Sequence, residues 1–147
     1  MSKQVEKQQK GFTIIEVVLV LAIAGLIFLI VFLAVPALQS SRRDTQRKSD
    51  AGRFLAQLEQ YAGNNNGEYP ANNDTAIRAF AEEYMDNFED PSGVPYDLQG
   101  DQTTAPDGPP GFYYGNTANC SGTATGDREV AVTVGIEKGG FYCQDNQ

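Results

Sequence analysis

The chain has 147 residues, eleven of them basic and nineteen acidic, which gives a net charge of -8, and it contains no His and no Trp. The missing His removes the commonest general base near neutral pH and the commonest metal ligand. Residues 54–147 hold three basic residues against fifteen acidic ones, a balance of -12. Such an acidic segment disfavours phosphate-rich partners. We therefore expect neither an enzyme nor a direct nucleic-acid binder.

The N-terminal part of the chain predicts a membrane anchor. Residues 1–11 are polar and carry three Lys, and residues 17–38 contain no charge. As a helix these 22 residues would span about 33 Å, enough for the hydrocarbon core of a bilayer. A secretory signal has a shorter apolar core and a small-residue cleavage site. Pro36 removes a helix hydrogen bond, so a kink or local unwinding is expected between Phe32 and Pro36.

An amphipathic helix is predicted after the anchor. Its apolar residues recur at spacings of three and four, and are Ala51, Phe54, Leu55, Leu58, Tyr61 and Ala62. The run 63–67, rich in Gly and Asn, predicts the end of this helix. Five basic residues lie within 42–53, namely Arg42, Arg43, Arg47, Lys48 and Arg53. We expect this basic cluster to face a membrane surface or an acidic neighbour. It opposes the orientation that the N-terminal lysines favour, so charge alone leaves the orientation open.

The remainder of the chain predicts one more helix followed by strands. The helix is expected at Thr75–Met85, capped by Asn73 or Asp74. Strands are expected at about 96–98, 111–114, 129–137 and 140–144, with a tight turn at Lys138-Gly139. The predicted fold class is α+β, a long N-terminal helix packed on a small antiparallel sheet. Cys120 and Cys143 are expected to form a disulfide outside the cytoplasm, with two free thiols as the alternative.

A short motif precedes the apolar run. Gly11 is followed by the aromatic residue Phe12, and a single carboxylate, Glu16, lies four residues further on. This segment resembles the prepilin signature shared by type IV pilins and the pseudopilins of type II secretion. The resemblance implies cleavage between Gly11 and Phe12 by a prepilin peptidase, N-methylation of Phe12, and assembly on an inner-membrane platform into a homo-oligomeric filament.

Glu16 has a physical argument of its own. A carboxylate at the edge of an apolar helix is costly in lipid and needs a positive partner. The free amine of Phe12 would supply one, either within the chain or from a neighbouring subunit, and the pairing between subunits would fix their register. The resemblance implies this assembly role for Glu16. The alternative is a flanking charge that reaches the membrane interface.

A second motif, at residues 89–96, predicts a turn. The run Asp90-Pro91-Ser92-Gly93-Val94-Pro95-Tyr96 resembles a turn of the major pseudopilin of type II secretion, a group that binds calcium in a later loop. Oxygen ligands could come from Asp97, Asp101, Asp107 and Asp127. No spacing matches a defined calcium loop, so we expect no cofactor, assign no metal ligands and keep calcium binding as the alternative.

The sequence thus predicts four segments: a leader at 1–11, a membrane and filament-core helix at 12–38, an amphipathic helix half at 39–62, and an extracytoplasmic α+β head at 63–147. The expected function is that of a structural pilus or pilus-like filament subunit. One alternative is a major-type pseudopilin of a type II secretion or DNA-uptake system, and another is an anchored surface protein that does not polymerise. The precursor would cross the cytoplasmic membrane once, and the filament would be extracellular or periplasmic.

Overall fold

A computed structural model describes residues 11–100, 106–121 and 128–147. Two helices precede four strands. They are α1 (Ile14–Asn64), α2 (Asp74–Tyr84), β1 (Asp97–Gln99), β2 (Gly111–Gly115), β3 (Ala131–Gly135) and β4 (Phe141–Asp145). The chain separates into two compact units, one ending at Leu38 and the other comprising Gln39–Gln147. From here on, the head denotes this whole second unit, which adds residues 39–62 to the predicted head at 63–147. The α+β fold class is confirmed.

The first unit contains the apolar part of α1. Its most hydrophobic 18-residue window has a mean hydropathy of 3.3 and no buried residue, so the helix is long and apolar enough to cross a membrane. The helix continues through Pro36. Local unwinding between Phe32 and Pro36 is therefore wrong, and a kink at Pro36 stays a prediction.

Within the head, α1 buries the predicted apolar stripe. Ala51, Phe54 and Leu58 are fully buried, and Tyr61 is partly buried against the same core. The helix ends at Asn64, where Asn66 and Gly67 both take positive φ angles, of 58° and 88°. Glycine and asparagine adopt this conformation at lowest cost, which explains why the helix stops there.

Helix α2 lies against β1 and begins one residue earlier than predicted. The Asn73 side chain accepts a hydrogen bond from the Ala76 amide at 2.9 Å and so caps the helix. The apolar face of α2 buries Ile77, Phe80 and Ala81. Nine aromatic pairs with ring centroids 4.6–5.7 Å apart connect α1, α2, the segment between α2 and β1, and β2. Phe54 takes part in three of them, so it sits at the centre of the core.

The sheet has the order β1-β2-β3-β4 and is mixed. Strands β2, β3 and β4 are antiparallel neighbours, with Phe112 opposite Val134 and Val134 opposite Tyr142. β1 pairs with β2 in parallel. The prediction of a purely antiparallel sheet therefore holds for three strands and not for the fourth. The β1–β2 connection is longer than a hairpin turn. It therefore allows β2 to start at the same end of the sheet as β1, which parallel pairing requires.

Two loops cover the sheet face that points away from α1. A Cβ on Gly135 would overlap the backbone of Gly108, so the loop before β2 lies directly on β3. A disulfide joins Cys120 to Cys143, with Cα atoms 5.7 Å apart, and fastens the loop after β2 to β4. Thr133 and Ala131 are consequently buried on this face. Both faces of the strand β3 are covered, which accounts for its fully buried pattern.

Candidate assembly and processing site

The N-terminus of α1 forms a capping box. Thr13 precedes the first helical residue, and its hydroxyl oxygen accepts a hydrogen bond from the Glu16 amide at 3.3 Å. In return, Glu16 Oε2 accepts from the Thr13 amide at 2.9 Å and from the Thr13 hydroxyl at 3.0 Å. This reciprocal pairing satisfies donors that a helix end otherwise leaves open. Thr-x-x-Glu before an apolar run is the usual sequence signal of a capping box, and the sequence contains it at Thr13 and Glu16.

The capping box leaves one carboxylate oxygen available. Both hydrogen bonds from Thr13 go to Oε2 of Glu16, and Oε1 has no partner among the described residues. Phe12 is 90% exposed, and Gly11 before it is exposed as well. The peptide bond between Gly11 and Phe12 is thus open to a protease, and Glu16 can accept a further donor without losing its role at the helix end.

The apolar helix surface next to Glu16 has no cover within its unit. Its large side chains from Val17 to Leu38 are between 41% and 77% exposed. Exposed apolar patches of this size mark a membrane or a protein partner. The arrangement therefore requires either lipid or other apolar helices around this segment.

The basic cluster at 42–53 is largely neutralised inside the head. Arg47 is fully buried, and its guanidinium donates to both oxygens of Asp90, at 2.6 and 2.9 Å. It also donates to Asp44 at 2.9 Å and to Glu137 at 3.1 Å. Arg43 donates to Glu137 at 2.8 Å. The expectation that the whole cluster faces outward is therefore wrong for Arg47, which the acidic residues of the head surround.

The turn at residues 89–96 has a structural role that the sequence argument did not assign. The side chain of Asp90 holds Arg47 and also accepts from the amide and hydroxyl of Ser92. Tyr96 donates its hydroxyl to Asp50 at 3.0 Å. Arg47 and Asp50 are one turn apart on α1, so the two ends of this turn bind adjacent polar residues on an otherwise apolar stripe.

The titration behaviour of these groups follows from their partners. Hydrogen bonds to Asp90 raise the pKa of Arg47 despite its burial. Burial alone would raise the pKa of Asp90, but the hydrogen bonds from Arg47 and Ser92 outweigh it and bring that pKa below its ordinary value. The hydrogen bond from Arg43 lowers the pKa of Glu137. All three groups are therefore charged at neutral pH.

The acidic loop residues do not gather into a metal site within the described residues. No group of three or more Cys, Asp or Glu side chains lies there in a position to hold an ion. Asp97 bonds instead to Arg78 at 3.2 Å and to Gln99 at 2.9 Å. Asp101 and Asp127 lie outside the described residues. Calcium binding stays a prediction.

Comparison with known proteins identifies the N-terminal segment. Residues 7–32 match the family model of the prokaryotic N-terminal methylation motif. This is the signature that type IV pilins and pseudopilins carry. The signature is typical of structural proteins that are made as membrane-anchored precursors and processed for filament assembly. No curated protein and no solved structure gives a significant match.

Proposed function

We propose that this protein is the structural subunit of a type IV pilus or pilus-like filament. A prepilin peptidase would cut between Gly11 and Phe12, Phe12 would be N-methylated, and the subunit would wait in the cytoplasmic membrane with its head outside. The observation that carries the proposal is the methylation motif at residues 7–32, followed directly by an uncovered apolar helix. In the filament, the apolar helices of neighbouring subunits would replace lipid around one another.

The capping box supports a specific assembly step. Glu16 would use Oε2 for the Thr13 cap and Oε1 for the positively charged amine of Phe12 on the preceding subunit. Charge pairing in a region of low dielectric is strong, because little water competes with it. A subunit shifted along the axis would leave Glu16 unpaired in an apolar surrounding, so this contact would select one register.

Two variants separate the cap from the charge. Glu16→Gln keeps an acceptor at a position where Glu and Gln both serve a capping box, but it removes the charge. Thr13→Val removes the cap and keeps the carboxylate. We expect Glu16→Gln to abolish filaments in electron micrographs and Thr13→Val to reduce them modestly. A Glu16→Gln variant that assembles normally would contradict the register role. A parent protein that forms no filaments at all would favour an anchored protein that does not polymerise.

The cleavage step has a direct test. Mass spectrometry of the mature protein should find an N-methylated Phe12 at the N-terminus. A Gly11→Ala variant, which adds a Cβ where nothing lies within 4 Å, should remain folded and accumulate as precursor if the peptidase reads this glycine. An intact Met1 in the native protein would refute the processing claim.

The turn at residues 89–96 favours a second candidate, a major-type pseudopilin of a secretion or DNA-uptake system. The segment that resembles the pseudopilin turn does form a turn: Gly93 takes a φ angle of 85°, and the backbone of Asp90 makes two hydrogen bonds that close it. Stability of the head that depends on calcium would favour this candidate. Long surface filaments at native expression would favour the pilus.

A further inference from the structure

The tip of the β3–β4 hairpin combines exposed apolar and cationic side chains. In the described part of the head, the large apolar residues that are exposed are Val94 and Phe141, at 44% and 51%. Phe141 ends the hairpin tip, which comprises residues 137–141 and is exposed throughout. Lys138 lies on the same tip, and the described residues offer it no ion pair. An exposed aromatic ring beside a free ammonium group calls for a partner that accepts both.

The hairpin tip has a fixed place along α1. The Gln144 side chain lies 3.4 Å from the position that a Cβ on Gly52 would take, and the Tyr142 ring lies 5.3 Å from Lys48 Nζ. Further along the hairpin, Glu137 accepts from Arg43 at 2.8 Å. Strand β4 therefore runs alongside α1. The hairpin tip lies next to the N-terminal end of the part of α1 that belongs to the head.

Chain connectivity keeps that end close to the apolar segment. Arg42 lies four positions after Leu38, and four residues of any conformation reach at most about 14 Å. Arg43, which holds the hairpin tip, is the next residue. The polar headgroup layer on each side of a bilayer is about 5–8 Å thick. Arg42 therefore stays within about 14 Å of the end of the apolar segment whenever residues 17–38 span the membrane, which allows it to reach this layer.

The charge distribution distinguishes this end of the head from the rest. Lys138 is one of only three basic residues among residues 54–147, against fifteen acidic ones. Arg42 and Lys48 are exposed nearby, and Glu137 is already neutralised by two arginines. An anionic surface would repel most of the head and attract this end.

We propose that the hairpin tip and Arg42 bind the anionic phospholipid headgroups of the membrane that holds the unassembled subunit. The Phe141 ring enters the interface, while Lys138 and Arg42 pair with lipid phosphates. The inference rests on the proposed anchored precursor. The acidic head of a second copy could also meet the cations, but it offers no apolar phase for Phe141 within the described residues, so lipid is the occupant that fits both features.

The absence of Trp from the chain gives a direct test. Phe141→Trp would place the only Trp of that variant on the hairpin tip, and Asn64→Trp would place a matched one at the far end of α1, about 33 Å from Arg42. Each full-length variant is reconstituted in nanodiscs of phosphatidylcholine with or without phosphatidylglycerol, and brominated lipid serves as the quencher. We expect strong quenching of Trp at position 141, greater with phosphatidylglycerol, and little at position 64.

Charge variants test the same contact. In the Phe141→Trp background, Lys138→Gln and Arg42→Gln should each lower the ratio of lipid-bound to free tips about fivefold in phosphatidylglycerol discs. Arg53→Gln is the control, since Arg53 is paired with Asp50. Equal quenching at positions 141 and 64, or no dependence on lipid charge, would overturn the inference. Quenching relieved by raising the number of copies per disc would assign the tip to a second copy instead. A chain that fails to insert at all would refute the proposed anchoring rather than this contact.

Discussion

Replacing Arg47 by Met is expected to destabilise the head severely. The substitution keeps most of the side-chain volume but leaves Asp90, whose side chain is 0% exposed, with hydrogen bonds from Ser92 alone. Removing one member of a buried ion pair costs about 3–5 kcal/mol, because the remaining charge has neither water nor a partner. A domain of this size is stable by only about 5–15 kcal/mol in total. Asp44 and Glu137, which are 15% and 26% exposed, would recover water and contribute less.

The matched control is Arg53→Met on the same helix. The Arg53 side chain is 54% exposed and makes one ion pair, to Asp50 at 3.2 Å. The Asp50 side chain is 7% exposed but keeps the hydrogen bond from the Tyr96 hydroxyl, so this variant should lose less stability than Arg47→Met. The measurement is urea-induced unfolding of the full-length protein in detergent, followed by tyrosine fluorescence, since the chain has no Trp.

A double variant distinguishes the stability lost through the unpaired buried charge of Asp90 from the stability lost through poorer packing. Arg47→Met combined with Asp90→Asn removes both charges and keeps the oxygen that accepts from Ser92. Replacing a buried pair as a whole is often close to neutral, so the double variant should be more stable than Arg47→Met alone. Equal losses for Arg47→Met and Arg53→Met, or a double variant no better than the single one, would refute the reasoning.

Three further predictions concern the head. Replacing Cys120 and Cys143 by Ser should lower its stability by about 3 kcal/mol in the same urea assay, since the bridge closes a loop with a sequence separation of 23. The pKa of Asp90 is lowered in the folded head, so its contribution should be present above about pH 4 and decline as the pH falls below that value, with Asp90→Asn flattening the acid limb of a pH–stability profile. Gly135→Ala should cost about 1–3 kcal/mol because its Cβ would overlap the neighbouring backbone, whereas Gly63→Ala, on an open helix surface, should gain up to about 1 kcal/mol in thermal unfolding.

Several elements of the head could be predicted from local patterns. The stripe from Ala51 to Ala62 follows the helical period, and alternation at residues 130–136 marks β3, because buried faces repeat at the period of the backbone. The predicted strand ends differ from those in the structure by one or two residues, since pairing with a neighbouring strand decides where a strand begins. The parallel pairing of β1 with β2 had no local signal, because strand direction depends on the path of the connecting loop.

The candidate site divides in the same way. Gly11, Phe12 and Glu16 form a contiguous motif, which sequence alone reveals, whereas the Thr13–Glu16 hydrogen bonds depend on the start of the helix. The burial of charged residues on α1 was not predicted, although the sequence holds a signal for it. Arg47 and Asp50 continue the buried stripe of α1 at spacings of three and four, and a charge on such a stripe indicates a buried partner.

The sequence by itself determined the motif of Gly11, Phe12 and Glu16 and the apolar helix that follows it, because both consist of consecutive residues. Only the tertiary structure decided which residues of the basic cluster are buried and which are exposed. Asp90 and Glu137 lie 43 and 90 residues away from Arg47 in the chain and contact it only after folding. Burial turns Arg47 from a surface charge into the link between α1, the turn at 89–96 and the β3–β4 hairpin, while Arg42 stays exposed. Charge counting cannot separate the two, because exposure is a property of the fold.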